Sequence, residues 1–140
     1  KDPNPFFNYT DLNHMEWLQA IGEHRFVLAP FGHGLDTHRI SEILLMGGIP
    51  VMRRSTISSC YDDSDNTYTA DHNAPHKDKT STAYPTRTRG SLPVVIVDRW
   101  EDVTKERLEA EWERLSRIPN SHWDWRRLFV YHWIDRILAR

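Results

Sequence analysis

Phe26 to Met52 reads FVLAPFGHGLDTHRISEILLMGGIPVM, and its punctuation decides the fold. The apolar run Phe26-Val27-Leu28-Ala29 is halted by Pro30, which marks a short buried strand. A loop holding Gly32, His33 and Gly34 follows, and Asp36 or Thr37 supplies an N-cap side chain. Beyond the cap, Ile40, Ile43, Leu44 and Gly47 recur at the spacing of one helical face. Gly47-Gly48 ends that helix, and Ile49-Pro50-Val51-Met52 opens a second strand. Strand, glycine loop, helix and strand in this order make a βαβ unit. The fold class that follows is α/β: a Rossmann-like parallel sheet flanked by helices.

A βαβ unit sets its glycine loop and helix N-terminus at the carboxyl ends of the strands, the edge at which open α/β sheets bind ligands. Free N–H groups and the helix dipole favour an anion there. Arg39 stands in the first helical turn, where the dipole disfavours a cation, and Glu42 lies three residues on. An external phosphate would account for such an arginine. Pairing with Glu42 or Asp36 would account for it equally. Candidate ligand residues on this edge are Gly32, His33, Gly34, Asp36, His38, Arg39 and Glu42.

Further along, Arg53-Arg54-Ser55-Thr56 falls at the carboxyl end of the second strand. Two arginines there suit a diphosphate or a sugar acid, and they suit a solvated turn as well, so Arg53 and Ser55 join the candidates. Residues 62–91 then change character: the run is polar, nearly free of aliphatics and broken by Pro75, Pro85 and Gly90, as in an insertion loop. Asp71, His72 and His76 within it have ligand chemistry for a divalent ion. No rigid element holds them, so we assign no metal and rank a metal-dependent hydrolase below the other readings. Leu92 to Val97 is a continuous apolar run, the mark of a strand buried on both faces. Thr104 caps a helix with Leu108, Trp112 and Leu115 inward. Pro119-Asn120 breaks it, and a C-terminal helix is expected over 121–140, with Val130, Trp133, Ile134, Ile137 and Leu138 on a wide apolar face.

At the other end, Lys1 to Leu12 is a Pro- and Asn-rich lead-in containing the glycosylation sequon Asn8-Tyr9-Thr10. Asn13 and Glu16 have the form of a capping box before a short helix with Trp17, Leu18 and Ile21 inward, ending at Gly22. His14 and His24 read as surface residues. The 140 residues, 39% hydrophobic, suffice for one domain with a real core. A net charge of −2 removes the electrostatic case for a nucleic-acid partner. The single cysteine, Cys60, excludes an intrachain disulfide, and no apolar run approaches a membrane span.

Taken together, Pro30, Gly32, Gly34, Asp36, His38-Arg39, Glu42-Ile43-Leu44 and Gly47-Gly48-Ile49-Pro50 resemble the donor-binding segment of the exostosin-like glycosyltransferases. Leu92 to Asp98 with Trp100 resembles the strand and turn that follow in that family, so the likeness runs from about Trp17 to Leu115. Two positions depart from the pattern: Ile43 stands where Ala is usual, and Gly48 where Cys is usual. The resemblance implies a GT-B architecture of two facing Rossmann-like domains, of which residues 1–140 would be part of the C-terminal, nucleotide-sugar-binding one. It implies a transferase acting on a nucleoside-diphosphate sugar and a glycan or other hydroxyl acceptor, with no cofactor and no metal. The glycine loop and Arg39 would hold the diphosphate, and Glu42 would accept hydrogen bonds from ribose or sugar hydroxyls, with Asp36 and His38 along the same edge. No residue is assigned as catalytic base, which in this architecture often belongs to the N-terminal domain. In such proteins the last helix packs on that other domain. Without it, an apolar C-terminal helix would self-associate. For animal and plant members the resemblance implies the Golgi lumen. A non-catalytic anion- or protein-binding module on the same fold stays open beside this reading.

Overall fold

The structure is a computed structural model and describes residues 12–34, 38–62 and 91–138. Among these residues three strands, β1 (Phe26–Leu28), β2 (Ile49–Arg53) and β3 (Val95–Val97), form one parallel sheet in the order β1-β2-β3. Its helices are α1 (His14–Glu23), α2 (His38–Leu45), α3 (Ser58–Tyr61), α4 (Lys105–Ser116) and α5 (Val130–Leu138). The βαβ unit expected of Phe26 to Met52 is therefore β1-α2-β2, and the α/β class holds.

Register sorts the strand residues between two cores. Val27, Met52 and Ile96 face a cluster with Ile21 of α1, Ile40, Ile43 and Leu44 of α2, and Tyr61 of α3. Phe26, Leu28, Ile49, Val51, Val95 and Val97 face Leu108, Trp112 and Leu115 of α4. The sheet is thus covered on both faces, which explains apolar runs in place of alternation. Pro50 is tolerated in the central strand for a register reason. The amides flanking the β1 ladder belong to Ile49 and Ala29, whereas Arg54 donates to Val97 O on the β3 side. The amide that proline lacks would face β3 below Val51↔Val95, where that pairing begins.

The helix ends follow the local chemistry. The Glu16 amide donates to Asn13 Oδ1 and the Asn13 amide to Glu16 Oε2, both at 3.0 Å, which completes the capping box. Thr104 Oγ1 accepts from the Arg107 amide at 3.3 Å and caps α4. Gly47 lies past α2 at φ 85°, off the buried face rather than on it. The Gly48 amide reaches Ile43 O at 2.9 Å and the Gly47 amide reaches Leu44 O at 3.1 Å, the paired bonds of a Schellman turn. A Cβ at Gly48 would meet Ile43 Cγ2 at 3.1 Å. Ile43 thus packs directly against the backbone at residue 48.

Three expectations need correction. First, α1 continues through Gly22 to Glu23, with the His24 amide closing on Ile21 O. Second, β3 is shorter than Leu92 to Val97. The Leu92 amide is taken by Tyr61 O and that of Val94 by Leu92 O, so this end is a buried stem and not a strand. Third, the C-terminal helix starts at Val130 and not at 121. Residues before it form two 3₁₀ turns, Asn120–His122 and Trp125–Leu128, because tertiary bonds claim their side chains. Trp125 Nε1 donates to Asn120 Oδ1 at 3.0 Å, and the buried Arg127 Nη1 donates to Cys60 O at 3.1 Å and Ser59 O at 3.4 Å. The insertion expected over 62–91 has its interior outside the described residues, as do Asp71, His72 and His76. Its ends meet: Ser91 Oγ donates to Asp62 Oδ1 at 2.9 Å, with both residues buried.

Candidate functional site

The carboxyl edge of the sheet gathers the loop after β1, the start of α2 and the ends of β2 and β3. Gly32, His33 and Gly34 are exposed in that loop. Asp36, and with it the N-cap of α2, lies outside the described residues. His38 opens α2 with its imidazole exposed, Arg39 is half-buried, and Glu42 sits one turn later with its side chain 20% exposed.

These three α2 residues are organised by α1. Trp17 Nε1 donates to Glu42 Oε2 at 3.1 Å, and the Arg39 guanidinium lies over the Trp17 ring, 5.6 Å from its centroid. Glu42 Oε1 is 4.0 Å from His14 Nδ1 and 4.0 Å from His38 Nε2. One carboxylate is thus anchored by an indole N–H on one oxygen and flanked by two imidazoles on the other. The geometry follows from the periodicities of both helices. His14 and Trp17 are three apart on α1, His38 and Glu42 four apart on α2, and each pair shares a face.

Arg53 and Ser55 belong to a different part of the edge. Arg53 ends β2 with its side chain exposed. The Glu101 carboxyl is held below its ordinary value first by a backbone N–H and then by Arg99, with the charge of Arg53 contributing least. Arg54 Nε bonds Asp98 Oδ1 at 2.6 Å and ties the end of β2 to the end of β3. Ser55 is buried, its amide donating to Ser58 Oγ at 2.9 Å, while its own hydroxyl finds no partner among the described residues. Of the candidate residues, the structure brings His38, Arg39 and Glu42 into one cluster. It puts Arg53 and Ser55 at the end of the neighbouring strand, in no hydrogen bond with that cluster.

His14 and Trp17 were missed as site residues. His14 reads as surface and Trp17 as core, and both descriptions are correct as far as they go: His14 is exposed and Trp17 packs on the inner cluster. The indole edge and the imidazole become part of a site only because α1 packs beside α2, a long-range fact with no local signal.

Chemically, the cluster offers a cation, an oriented carboxylate and two imidazoles at the sheet edge. A ligand with an anionic group and hydroxyls matches that set. Among the described residues, no three His, Cys, Asp or Glu side chains stand close enough to hold a metal ion. No protein-family model and no curated protein matches this chain.

Proposed function

We propose that this chain is the nucleotide-sugar-binding part of an exostosin-like glycosyltransferase of GT-B architecture. The observation that carries the proposal is that Arg39 and Glu42 lie in the first turns of the helix that follows the glycine loop, at the carboxyl edge of a parallel sheet. Arg39, with the loop amides of Gly32 to Gly34, would take the donor diphosphate, and Glu42 would accept hydrogen bonds from ribose or sugar hydroxyls. Charge grows on the leaving nucleoside diphosphate as the glycosidic bond breaks, and donors fixed in advance stabilise it. Arg53 extends the positive edge. The glycan acceptor and its base belong, in this proposal, to a facing N-terminal domain, so this chain binds without catalysing.

Calorimetric titration with a panel of nucleoside diphosphates and nucleotide sugars tests the proposal. Saturable binding is expected, weakened about tenfold or more in Arg39→Ala and in Glu42→Ala, since each removes a charged hydrogen-bonding partner worth about 1.5–3 kcal/mol. Binding unchanged in both variants, with their folds intact, would remove the donor site from this edge.

A second reading is favoured by one observation: Arg39 and Glu42 already have a partner inside the chain, Trp17. On that reading the edge is a structural face of a non-catalytic anion- or protein-binding module. A well-folded chain that binds no nucleotide, alone or within a longer polypeptide carrying its neighbouring domain, would decide for it.

A further inference from the structure

Arg39 and Glu42 stand three residues apart on α2, the spacing at which opposite charges pair along a helix. In the structure Trp17 takes one with its N–H and the other with its ring face. We propose that Trp17 is the positioning residue of this site: it keeps the guanidinium and the carboxylate from neutralising each other and leaves both available to a ligand. The inference rests on the reading of Arg39 and Glu42 as ligand-facing, and it narrows the ligand class.

The two contacts differ in kind. The indole N–H is a fixed donor at 3.1 Å, so Glu42 Oε2 is held while Oε1 stays open toward His14 and His38. A cation over this half-buried ring is held more weakly than by a charge-assisted bond to phosphate. An anionic ligand therefore draws Arg39 off the ring without disturbing Glu42. The ligand that fits has an anion at one end for Arg39 and hydroxyls at the other for Glu42 Oε1, which is the chemistry of a glycosyl or ribosyl phosphate. Either group alone makes half the contacts.

The side-chain ¹⁵N–H resonance of Trp17, identified by its loss in Trp17→Phe, gives a readout in the free protein. Glu42→Gln and Arg39→Gln should each move that resonance and leave the other tryptophan signals in place. In thermal unfolding, the Tm losses of Arg39→Gln and Glu42→Gln should add in the native background and become non-additive in Trp17→Leu, where the pair closes on itself. Trp17→Phe keeps the ring and should release Glu42 alone, which preserves the test if the leucine variant is poorly folded. An unmoved indole signal together with additive losses in every background would overturn the role of Trp17. Inorganic pyrophosphate and ribose 5-phosphate then probe the ligand. Both should move the Trp17 signal, and only the second should lose about tenfold in affinity in Trp17→Phe. Equal losses for both would overturn the division of labour between ring and N–H. Failure of both probes to bind, with the free-protein couplings present, would reject the donor reading and leave Trp17 as the separator of a charged pair.

Discussion

α2 and α5 both present an apolar stripe at helical spacing, and the tertiary structure treats them in opposite ways. Ile40, Ile43 and Leu44 of α2 are 2%, 0% and 3% exposed, whereas Ile137 and Leu138 of α5 are 71% and 78% exposed. The stripe on α2 is answered by a sheet that the same stretch of chain supplies: β1 precedes it, β2 follows it, and they pair side by side. The stripe on α5 has no such neighbour among the described residues. An apolar face states that cover is favourable and says nothing of where the cover comes from.

The sharpest way to break this comparison is to make the same truncation on both helices. Ile43→Ala should lower stability by about 2–5 kcal/mol, because a fully buried side chain leaves a cavity that packing cannot refill. Ile137→Ala should stay within about 0.5 kcal/mol, as exposed substitutions do. Urea unfolding of both variants checks the pair. A large loss at Ile137 would mean that α5 is covered in solution, and concentration-dependent sedimentation would then identify self-association as the cover.

The next effect concerns what holds the C-terminal segment down. Its anchor is Arg127, 6% exposed, whose guanidinium crosses to the carbonyls of Ser59 and Cys60 at the end of α3. Trp133 Nε1 in turn donates to Arg127 O at 2.9 Å. Arg127→Met keeps the bulk and removes the bonds, and should destabilise by about 1.5–3 kcal/mol, the range for hydrogen bonds to a charged group. Hydrogen exchange would show whether α5 and its Trp133 indole open together while α2 stays protected.

The smallest effect is one of pH. The hydrogen bond from Arg126 is the main cause that holds the Asp124 carboxyl below its ordinary value of 3.8, with the charges of Arg126, His132 and Arg127 adding to it. A carboxyl with a folded-state pKa below its unfolded one binds fewer protons when folded. Its stabilisation is complete above the unfolded value and is lost as pH falls through the folded one. Asp124→Asn should therefore lower Tm modestly at neutral pH and flatten the Tm–pH curve below about pH 4, near the unfolded carboxyl value, the two proteins converging in acid. The same substitution should leave the exchange of α2 amides untouched.

Much of the β1-α2-β2 unit was legible because its signals are local. Pro30 stops a strand, Gly47 accepts φ 85° where other residues resist it, and Ile40, Ile43 and Leu44 mark one face by spacing alone. The capping box at Asn13 and the cap at Thr104 were legible for the same reason, since each joins residues three apart. The extent of β3 was not, because the amide of Leu92 is claimed by Tyr61, across the whole insertion. The start of the last helix was not, because Asn120 and Arg127 answer to Trp125 and to the end of α3 instead of to helical neighbours.

The site divides along the same line. His38, Arg39 and Glu42 could be named from the first turns of α2, since helix periodicity puts them on adjacent positions and the βαβ order sets them at the sheet edge. That Trp17 and His14 complete the cluster, and that Arg53 stands apart beside Glu101, depended on how α1 lies against α2 and how β3 closes on β2. The sequence by itself determined the β1-α2-β2 unit, the caps at Asn13 and Thr104 and the parallel sheet, because bonds across a few residues and an apolar period decide them. Only the tertiary structure decided which charges meet, because a contact between residues 17 and 42 is made by packing, and packing is settled by the whole core at once.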